Sequence, residues 1–113
     1  MQYRTYGKTG KKVSALGFGL MRLPMDGDHV DMDVAVELIR RAIELGVNYL
    51  DSAVGYCNAE SQVAFGRSIE GLRDRVYVST KNHYKGADGD EWQRNLDDSL
   101  DRIGVEVIDF YHL

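Results

Sequence analysis

The sequence predicts an α/β fold built on a parallel sheet, because apolar strand segments alternate with amphipathic helix segments. Residues 45–51 and 103–109 share one order: a helix end, a glycine stop and a strand. The predicted strand cores are continuously apolar, which is typical of strands buried on both faces. Together these features indicate right-handed βαβ units, in which a strand and a helix occur three times before a fourth strand.

The composition is that of a folded single domain, since the 113 residues are 43% hydrophobic and 28% charged. A net charge of −4 argues against a nucleic-acid partner. No apolar run approaches the roughly 20 residues of a membrane helix, and the polar amino terminus lacks a signal-peptide core. The lone Cys57 suits a reducing compartment. We therefore expect a cytoplasmic protein without a membrane partner.

The chain opens with a predicted hairpin, whose strands at 3–6 and 12–14 flank a glycine-rich turn. A buried strand follows at 15–19. Its Gly17-x-Gly19 pair resembles the start of a dinucleotide-binding fingerprint, but Arg22 stands where the third glycine is due. The remaining interpretation is a strand whose glycine tip lets another group approach the backbone.

An acidic loop is predicted at 26–31, before a helix at 33–45 that Asp31 or Asp33 caps and Gly46 ends. Strand 47–51 comes next. The predicted inner face of the helix consists of Ala35, Leu38, Ile39, Ala42 and Leu45.

The second half of the sequence continues the alternation of helix and strand. A helix is predicted at 60–69 with Val63, Ala64 and Phe65 facing inward, and a strand at 76–80. A polar loop at 82–89 leads to a helix at 90–103, capped by Asp88 or Asp90 and stopped by Gly104. Its inner face should carry Trp92, Leu96, Ser99, Leu100 and Ile103. The last strand should lie within 105–111.

Three polar residues follow the ends of two predicted strands. Asp51 ends one strand, Tyr56 comes five positions later, and Lys81 directly follows strand 76–80. Because the carboxyl ends of parallel strands meet at one rim, we expect the three to cluster, with Asp51 and Lys81 within about 4 Å. An acid, a phenol and an amine at one rim suit proton donation. The structural alternative is that the aspartate caps its loop and that the lysine and tyrosine are ordinary surface residues.

Several ordered motifs resemble those of the aldo-keto reductases, and the resemblance covers essentially the whole chain. They are an opening strand and cofactor-facing turn at 13–23, an aspartate–tyrosine signature at 46–56, a helix start at 58–61, a lysine strand at 78–81 and a run leading to a histidine at 100–111. The resemblance implies an eight-stranded (β/α)8 barrel of the TIM type. It also implies hydride transfer between NADPH, or NADH, and a carbonyl. The implied catalytic residues are Asp51, Tyr56 and Lys81, and the implied cofactor-binding residues are Gly19, Leu20, Met21, Arg22 and Asp51.

The chain departs from the family in length, since such a barrel typically needs about 250 residues. Residues 1–113 are expected to form the amino-terminal part of one barrel domain, with four of its strands. The family histidine stands five positions after the aspartate that corresponds to Asp109, one residue beyond Leu113, so the chain looks truncated before it. His112 should instead be a hydrogen-bonded residue lining the barrel. The open sheet edges should favour self-association.

The implied chemistry is the reduction of a small carbonyl compound, in which carbon receives a hydride and oxygen a proton. A tyrosine keeps its proton at neutral pH, and the Lys81 ammonium should stabilise the phenolate left behind. Asp51 would hold Lys81 charged and in place, and no metal is expected. One alternative is a non-catalytic fragment or regulatory module of the same fold that binds cofactor or partner. Another is an unrelated parallel barrel that uses Lys81 as a Schiff-base amine.

Overall fold

The computed structural model describes residues 1–86 and 88–113; Ala87, within the predicted polar loop, lies outside the described residues. The elements, in chain order, are β1 (Tyr3–Thr5), β2 (Lys12–Ser14), β3 (Phe18–Gly19), β4 (Met25–Asp26), β5 (His29–Val30), α1 (Met32–Glu44), β6 (Tyr49–Asp51), α2 (Ser61–Ile69), a 3-10 turn (Arg73–Arg75), β7 (Tyr77–Lys81), α3 (Gly89–Ile103) and β8 (Phe110–His112).

The central element is a four-stranded parallel sheet in the order β3-β6-β7-β8. A helix connects each pair of sequential strands in this sheet, as the repeated glycine-stop pattern predicts. In the register, Leu50 lies opposite Phe18 on one side and Val78 on the other. The prediction of parallel βαβ units is therefore confirmed.

The hydrophobic core lies between the sheet and the helices. Ala35 and Ile39 of α1, Leu50 of β6, Val78 of β7 and Phe65 of α2 are all completely buried. Burial of a side chain the size of Ile39 or Phe65 contributes roughly 1.5–3 kcal/mol. The helices that connect the strands thus also cover one face of the sheet.

The inner faces of the first two helices differ in part from those predicted. On α1, Leu38 and Leu45 are 43% and 58% exposed, whereas Ile43 is buried. The buried positions 35, 39 and 43 are spaced by four, so the contact stripe follows one ridge of the helix. On α2, the polar Gln62 is buried while Val63 is only half-buried. Hydrogen bonds from Gln62 to Thr80 and Ser99 make that burial tolerable.

The helix ends agree with the sequence prediction. Asp31 caps α1 by accepting from the backbone N–H of Val34 at 3.3 Å, and Asp88 caps α3 by accepting from that of Glu91 at 2.6 Å. Gly46 and Gly104 follow α1 and α3 with φ values of +97° and +73°, a backbone conformation that favours glycine. Gly89, predicted to lie in the loop, is the first residue of α3.

The predicted acidic loop at 26–31 is wrong, because this segment is the two-stranded hairpin β4–β5. Met25 pairs with Val30 and Asp26 with His29. Gly27, with a φ of +61°, supplies the tight turn between them. Strands of only two residues carry too little alternation to be recognised in a sequence.

Both outer strands of the sheet are shorter than predicted. β3 begins at Phe18 rather than at residue 15, and β8 begins at Phe110 rather than at 105 or 106. The Asp109 carboxylate accepts from the Val78 backbone N–H at 2.9 Å. A side chain therefore satisfies the backbone donor of Val78, and the regular pairing of β8 with β7 begins at the residue after Asp109, where Phe110 lies opposite Ser79.

The amino-terminal hairpin β1–β2 closes the end of the sheet where the strands begin. The Tyr6 ring stacks on Tyr49 with centroids 6.0 Å apart and contacts Phe110 at 4.6 Å. Tyr3 donates to the Gly46 carbonyl at 2.9 Å. Within residues 1–86 and 88–113, none of the helices has the length and apolarity needed to cross a membrane.

Candidate active site

An ion pair joins the carboxyl ends of β6 and β7. The two strands pair in parallel register, so Asp51 and Lys81 finish at the same rim of the sheet. The Lys81 Nζ lies 2.6 Å from Asp51 Oδ2 and also donates to the Ser52 carbonyl at 2.8 Å. The predicted contact between these two residues is thus present in the structure.

The surroundings of Lys81 act on its pKa in opposite directions. Partial burial lowers the pKa of Lys81, because it disfavours the charged amine. The hydrogen bond and charge of Asp51, with a smaller contribution from Tyr56, outweigh burial, and the net effect raises this pKa above 10.5. Lys81 therefore carries its proton throughout the neutral range.

Replacing Asp51 should lower the pKa of Lys81, because the effect of burial would then be larger than that of the remaining contacts. In Asp51→Asn, burial is no longer opposed by a carboxylate, so we expect the pKa of Lys81 to fall below its value in the unmodified chain. Because the folded-state pKa is raised, the stability that this pair contributes is present below pH 10.5 and is lost as pH rises through the folded-state pKa. Titration of the Lys81 Cε signal by NMR measures the shift. An unchanged Lys81 titration would show that Asp51 does not hold the charge.

Tyr56 completes the cluster through its ring. Its ring centroid lies 4.9 Å from the Lys81 Nζ, within the range of a cation–π contact, and the side chain is half-buried. The loop that carries it follows β6 directly. The structure therefore brings together Asp51, Tyr56 and Lys81, as predicted from the strand ends.

Beneath this cluster lies a group of inward-facing polar residues that the sequence analysis did not assign to the site. Ser79 is completely buried and its hydroxyl donates to Asp51 Oδ1 at 2.8 Å. The Ser79 oxygen lies 3.0 Å from the Tyr49 hydroxyl and 3.1 Å from His112 Nε2. Period-two alternation along β6 and β7 places Tyr49 and Ser79 on the face that bears Asp51 and Lys81. That parity is the signal that could have revealed them.

These contacts tie the ion pair to the interior of the sheet. Burial raises the pKa of Tyr49, so its hydroxyl stays protonated and available as a donor. His112 lies opposite Lys81 in the register of β7 and β8 and is hydrogen-bonded within this group, as expected. The Asp51 carboxylate is thus held on one oxygen by Lys81 and on the other by Ser79.

The turn after β3 lies beside the ion pair, because the Leu20 backbone N–H donates to the Asp51 carbonyl at 2.8 Å. Met21 is 54% exposed and Arg22 is also exposed, whereas the Leu20 side chain is completely buried in the core. Of the predicted cofactor-facing residues, Leu20 is the one with no exposed atom, and its backbone carbonyl is also occupied, because it accepts from the Ser61 hydroxyl at 2.8 Å. At Gly19 an added Cβ would meet open space, so the backbone is accessible there.

Most of the chain matches a known protein family. The aldo/keto reductase family profile matches residues 15–113. The chain belongs to the aldo/keto reductase family. This confirms the resemblance inferred from the ordered motifs.

Individual members of the family show how much of an aldo-keto reductase is present. The chain is 34% identical to L-galactose dehydrogenase of Arabidopsis thaliana over 119 aligned positions, which include 99% of this chain and 37% of that enzyme. It is 34% identical to a probable voltage-gated potassium channel subunit beta of the same plant, covering 76% of this chain and 26% of that protein. The chain thus spans about two fifths or less of these relatives.

A solved aldo-keto reductase from Klebsiella pneumoniae in complex with NADPH superimposes with a TM-score of 0.81 at 28% identity, covering 98% of this chain and 39% of that one. The four parallel strands and their helices are therefore part of an aldo-keto reductase (β/α)8 barrel, which confirms the predicted fold class. Aldo-keto reductases use nicotinamide cofactors. The exposed cation of Arg22 suits the negatively charged phosphates of such a cofactor, and the open backbone at Gly19 leaves room for one of its planar rings.

Proposed function

We propose that this chain is the amino-terminal part of a nicotinamide-dependent oxidoreductase that reduces an aldehyde or ketone to an alcohol. The observation that carries the proposal is the 2.6 Å ion pair of Asp51 and Lys81 set against the ring of Tyr56. A positive charge that is fixed next to a phenol favours loss of the phenolic proton. Membership of an oxidoreductase family agrees with this chemistry.

Each residue of the cluster has a distinct task in the proposed reaction. Tyr56 donates its proton to the carbonyl oxygen as negative charge develops there. Lys81 stabilises the resulting phenolate, and Asp51 keeps Lys81 protonated and oriented through the hydrogen bond at 2.6 Å. Lys81 carries a raised pKa, so its charge is available across the working pH range.

The cofactor is proposed to bind at the rim next to this cluster. Gly19, Met21, Arg22 and Asp51 would hold its nicotinamide end, and Leu20, which is completely buried, would act only by supporting the turn that carries them. When bound, NADPH or NADH supplies the hydride that the carbonyl carbon receives. The buried Leu20 side chain supports the turn from below, so that Met21 and Arg22 stay exposed at the rim.

The 113 residues alone should turn over carbonyl substrates poorly. Within the described part of the chain, β3 and β8 each have one unpaired edge, and Leu16, Val107 and Leu113 are more than half exposed. Unpaired edges and exposed apolar side chains favour association. We expect sedimentation of the isolated chain to depend on concentration, and its NADPH oxidation with aldehydes and ketones to be weak.

A chain extended through the remaining strands should oxidise NADPH with at least one member of the same carbonyl panel. Robust turnover by a monomeric 113-residue chain would contradict the proposed dependence on the rest of the barrel. A soluble extended chain that binds NADPH yet reduces none of the panel would favour the second candidate function.

That second candidate is a regulatory module that binds a cofactor or partner without turnover. It is supported by the likeness to the potassium channel subunit beta. The predicted cytoplasmic location stays a prediction under either function.

A further inference from the structure

The loop that follows Tyr56 has an uncommon backbone. Cys57, Asn58 and Ala59 have φ values of +51°, +53° and +68°, so three consecutive non-glycine residues are left-handed. Such residues are uncommon even singly, and they persist where the surroundings hold them in place. The segment next to the proposed proton donor is therefore one that needs support from outside the loop.

The hairpin β4–β5 supplies part of that support through Glu60, in addition to a hydrogen bond from Arg102 to the Ala59 carbonyl at 3.2 Å. Glu60 Oε2 accepts from the Val30 backbone N–H at 2.6 Å, and Glu60 Oε1 lies 2.7 Å from His29 Nδ1. From the same loop, the Asn58 side chain donates to the Asp28 carbonyl at 2.9 Å. Three contacts thus join the segment 58–60, which follows Tyr56, to the hairpin β4–β5.

The side chain of Glu60 binds the hairpin β4–β5 and does not cap its own helix. Glu60 occupies the N-cap position of α2, yet its carboxylate makes no capping hydrogen bond there. It reaches back about one quarter of the chain to the hairpin instead. The backbone N–H of Glu60 donates to the Cys57 carbonyl at 3.1 Å, and that of Ser61 donates to the Tyr56 carbonyl at 3.2 Å. Movement at Glu60 is therefore transmitted directly to Tyr56.

The charges at this contact favour an ionised pair. The hydrogen bond with His29 lowers the pKa of Glu60, and the same hydrogen bond raises the pKa of His29, with a smaller contribution from Asp26. The Glu60 carboxylate is consequently charged at neutral pH. A charged acceptor makes the stronger hydrogen bond to the Val30 backbone.

We propose that Glu60 is a positioning residue that fixes Tyr56 over Lys81 by clamping the left-handed loop 57–59 to the hairpin β4–β5. This inference rests on the proposed function of Tyr56 as the proton donor. Glu60 acts through the loop rather than on the substrate, so its loss should affect proton donation more than cofactor binding.

The clamp itself is tested by hydrogen exchange on the 113-residue chain, with Glu60→Ala, the conservative Glu60→Gln, and Glu37→Gln on the exposed side of α1 as the matched control. We expect the amides of Val30 and residues 56–60 to exchange about tenfold faster in Glu60→Ala, and by less in Glu60→Gln, which keeps an acceptor. Exchange in β7 should not change in either Glu60 variant. Unchanged exchange at Val30 and 56–60, or equal acceleration throughout the chain, would overturn the clamp.

The catalytic consequence is tested in a chain extended through the remaining strands. Glu60→Ala should lower kcat about tenfold, and Glu60→Gln by less, while the Kd for NADPH and the KM for the carbonyl stay within about twofold, whereas a merely structural role would change all three together. Tyr56→Phe separates the two proposals. If it abolishes turnover and Glu60→Ala does not lower kcat, the inference is overturned. If it leaves turnover intact, the proposed function fails, and the catalytic role of the clamp fails with it.

Discussion

Tyr56→Phe, made in a chain extended through the remaining strands, should lose about 10²–10⁴-fold in carbonyl reduction and keep its affinity for NADPH. The substitution removes only the phenolic hydroxyl, so the ring that lies 4.9 Å from the Lys81 Nζ remains in place. Lys81 keeps its ion pair with Asp51, and the cofactor turn is not altered. The loss should therefore appear in kcat, measured as NADPH oxidation under saturating carbonyl.

Tyr3→Phe is the matched control, because it removes a phenolic hydroxyl from the opposite end of the sheet. Tyr3 donates to the Gly46 carbonyl, ahead of the start of β6 and far from the carboxyl rim. This variant should cost some stability and retain kcat. Normal turnover by Tyr56→Phe would show that the proton comes from another group.

Gly66→Ala should destabilise the chain by about 3 kcal/mol or more, the largest stability effect that we expect from a single methyl group. A Cβ at Gly66 would lie 2.2 Å from the Ile103 carbonyl oxygen and 2.9 Å from its carbonyl carbon. Both atoms belong to the backbone at the end of α3, so no side-chain rotation relieves the overlap. The helices α2 and α3 would have to separate, which would open the core around Phe65 and Ile103.

Gly89→Ala provides the matched control in the same pair of helices. Gly89 is the first residue of α3, and a Cβ there would meet open space. The added methyl should stabilise the folded chain by roughly 0.4–1 kcal/mol, because it restricts the unfolded chain. Denaturant midpoints, measured at equal protein concentration, should move in opposite directions for the two variants. A midpoint for Gly66→Ala equal to that of the unmodified chain would show that α2 and α3 are not packed this closely.

The parallel sheet and the carboxyl-rim cluster could be predicted because their signals are local. A glycine stop followed by an apolar run marks the approach to β6 and β8, an apolar run alone marks β7, and the residue at a strand end then lies at the rim. The proximity of Asp51 and Lys81 could therefore be predicted from the positions of the strand ends alone. Tyr56 needed only the length of the loop after β6.

The remaining features depended on contacts between distant residues. The repeat at 45–51 and 103–109 is exact in its glycine stops, yet Asp51 ends β6 whereas Asp109 comes before β8. The Asp109 side chain satisfies the Val78 N–H and contacts Arg73 at 2.8 Å, and neither partner is near it in sequence. Glu60 was hidden for the same reason, because its partners lie in a hairpin of two-residue strands. Hydrogen bonds between residues distant in the sequence therefore determine these features, and the local sequence pattern does not reveal them.

Transfer of deuterium from NADPH that carries deuterium at both hydrogens of the reactive nicotinamide carbon shows whether the cofactor supplies the hydride. The extended chain is incubated with this cofactor and an aldehyde or ketone that it reduces, and the alcohol is analysed by mass spectrometry and NMR. We expect one deuterium on the carbinol carbon, and none at that carbon when unlabelled NADPH is used in heavy water, because the solvent-derived proton goes to oxygen through Tyr56. An alcohol whose carbinol carbon takes its hydrogen from solvent would show that the nicotinamide cofactor does not supply the hydride.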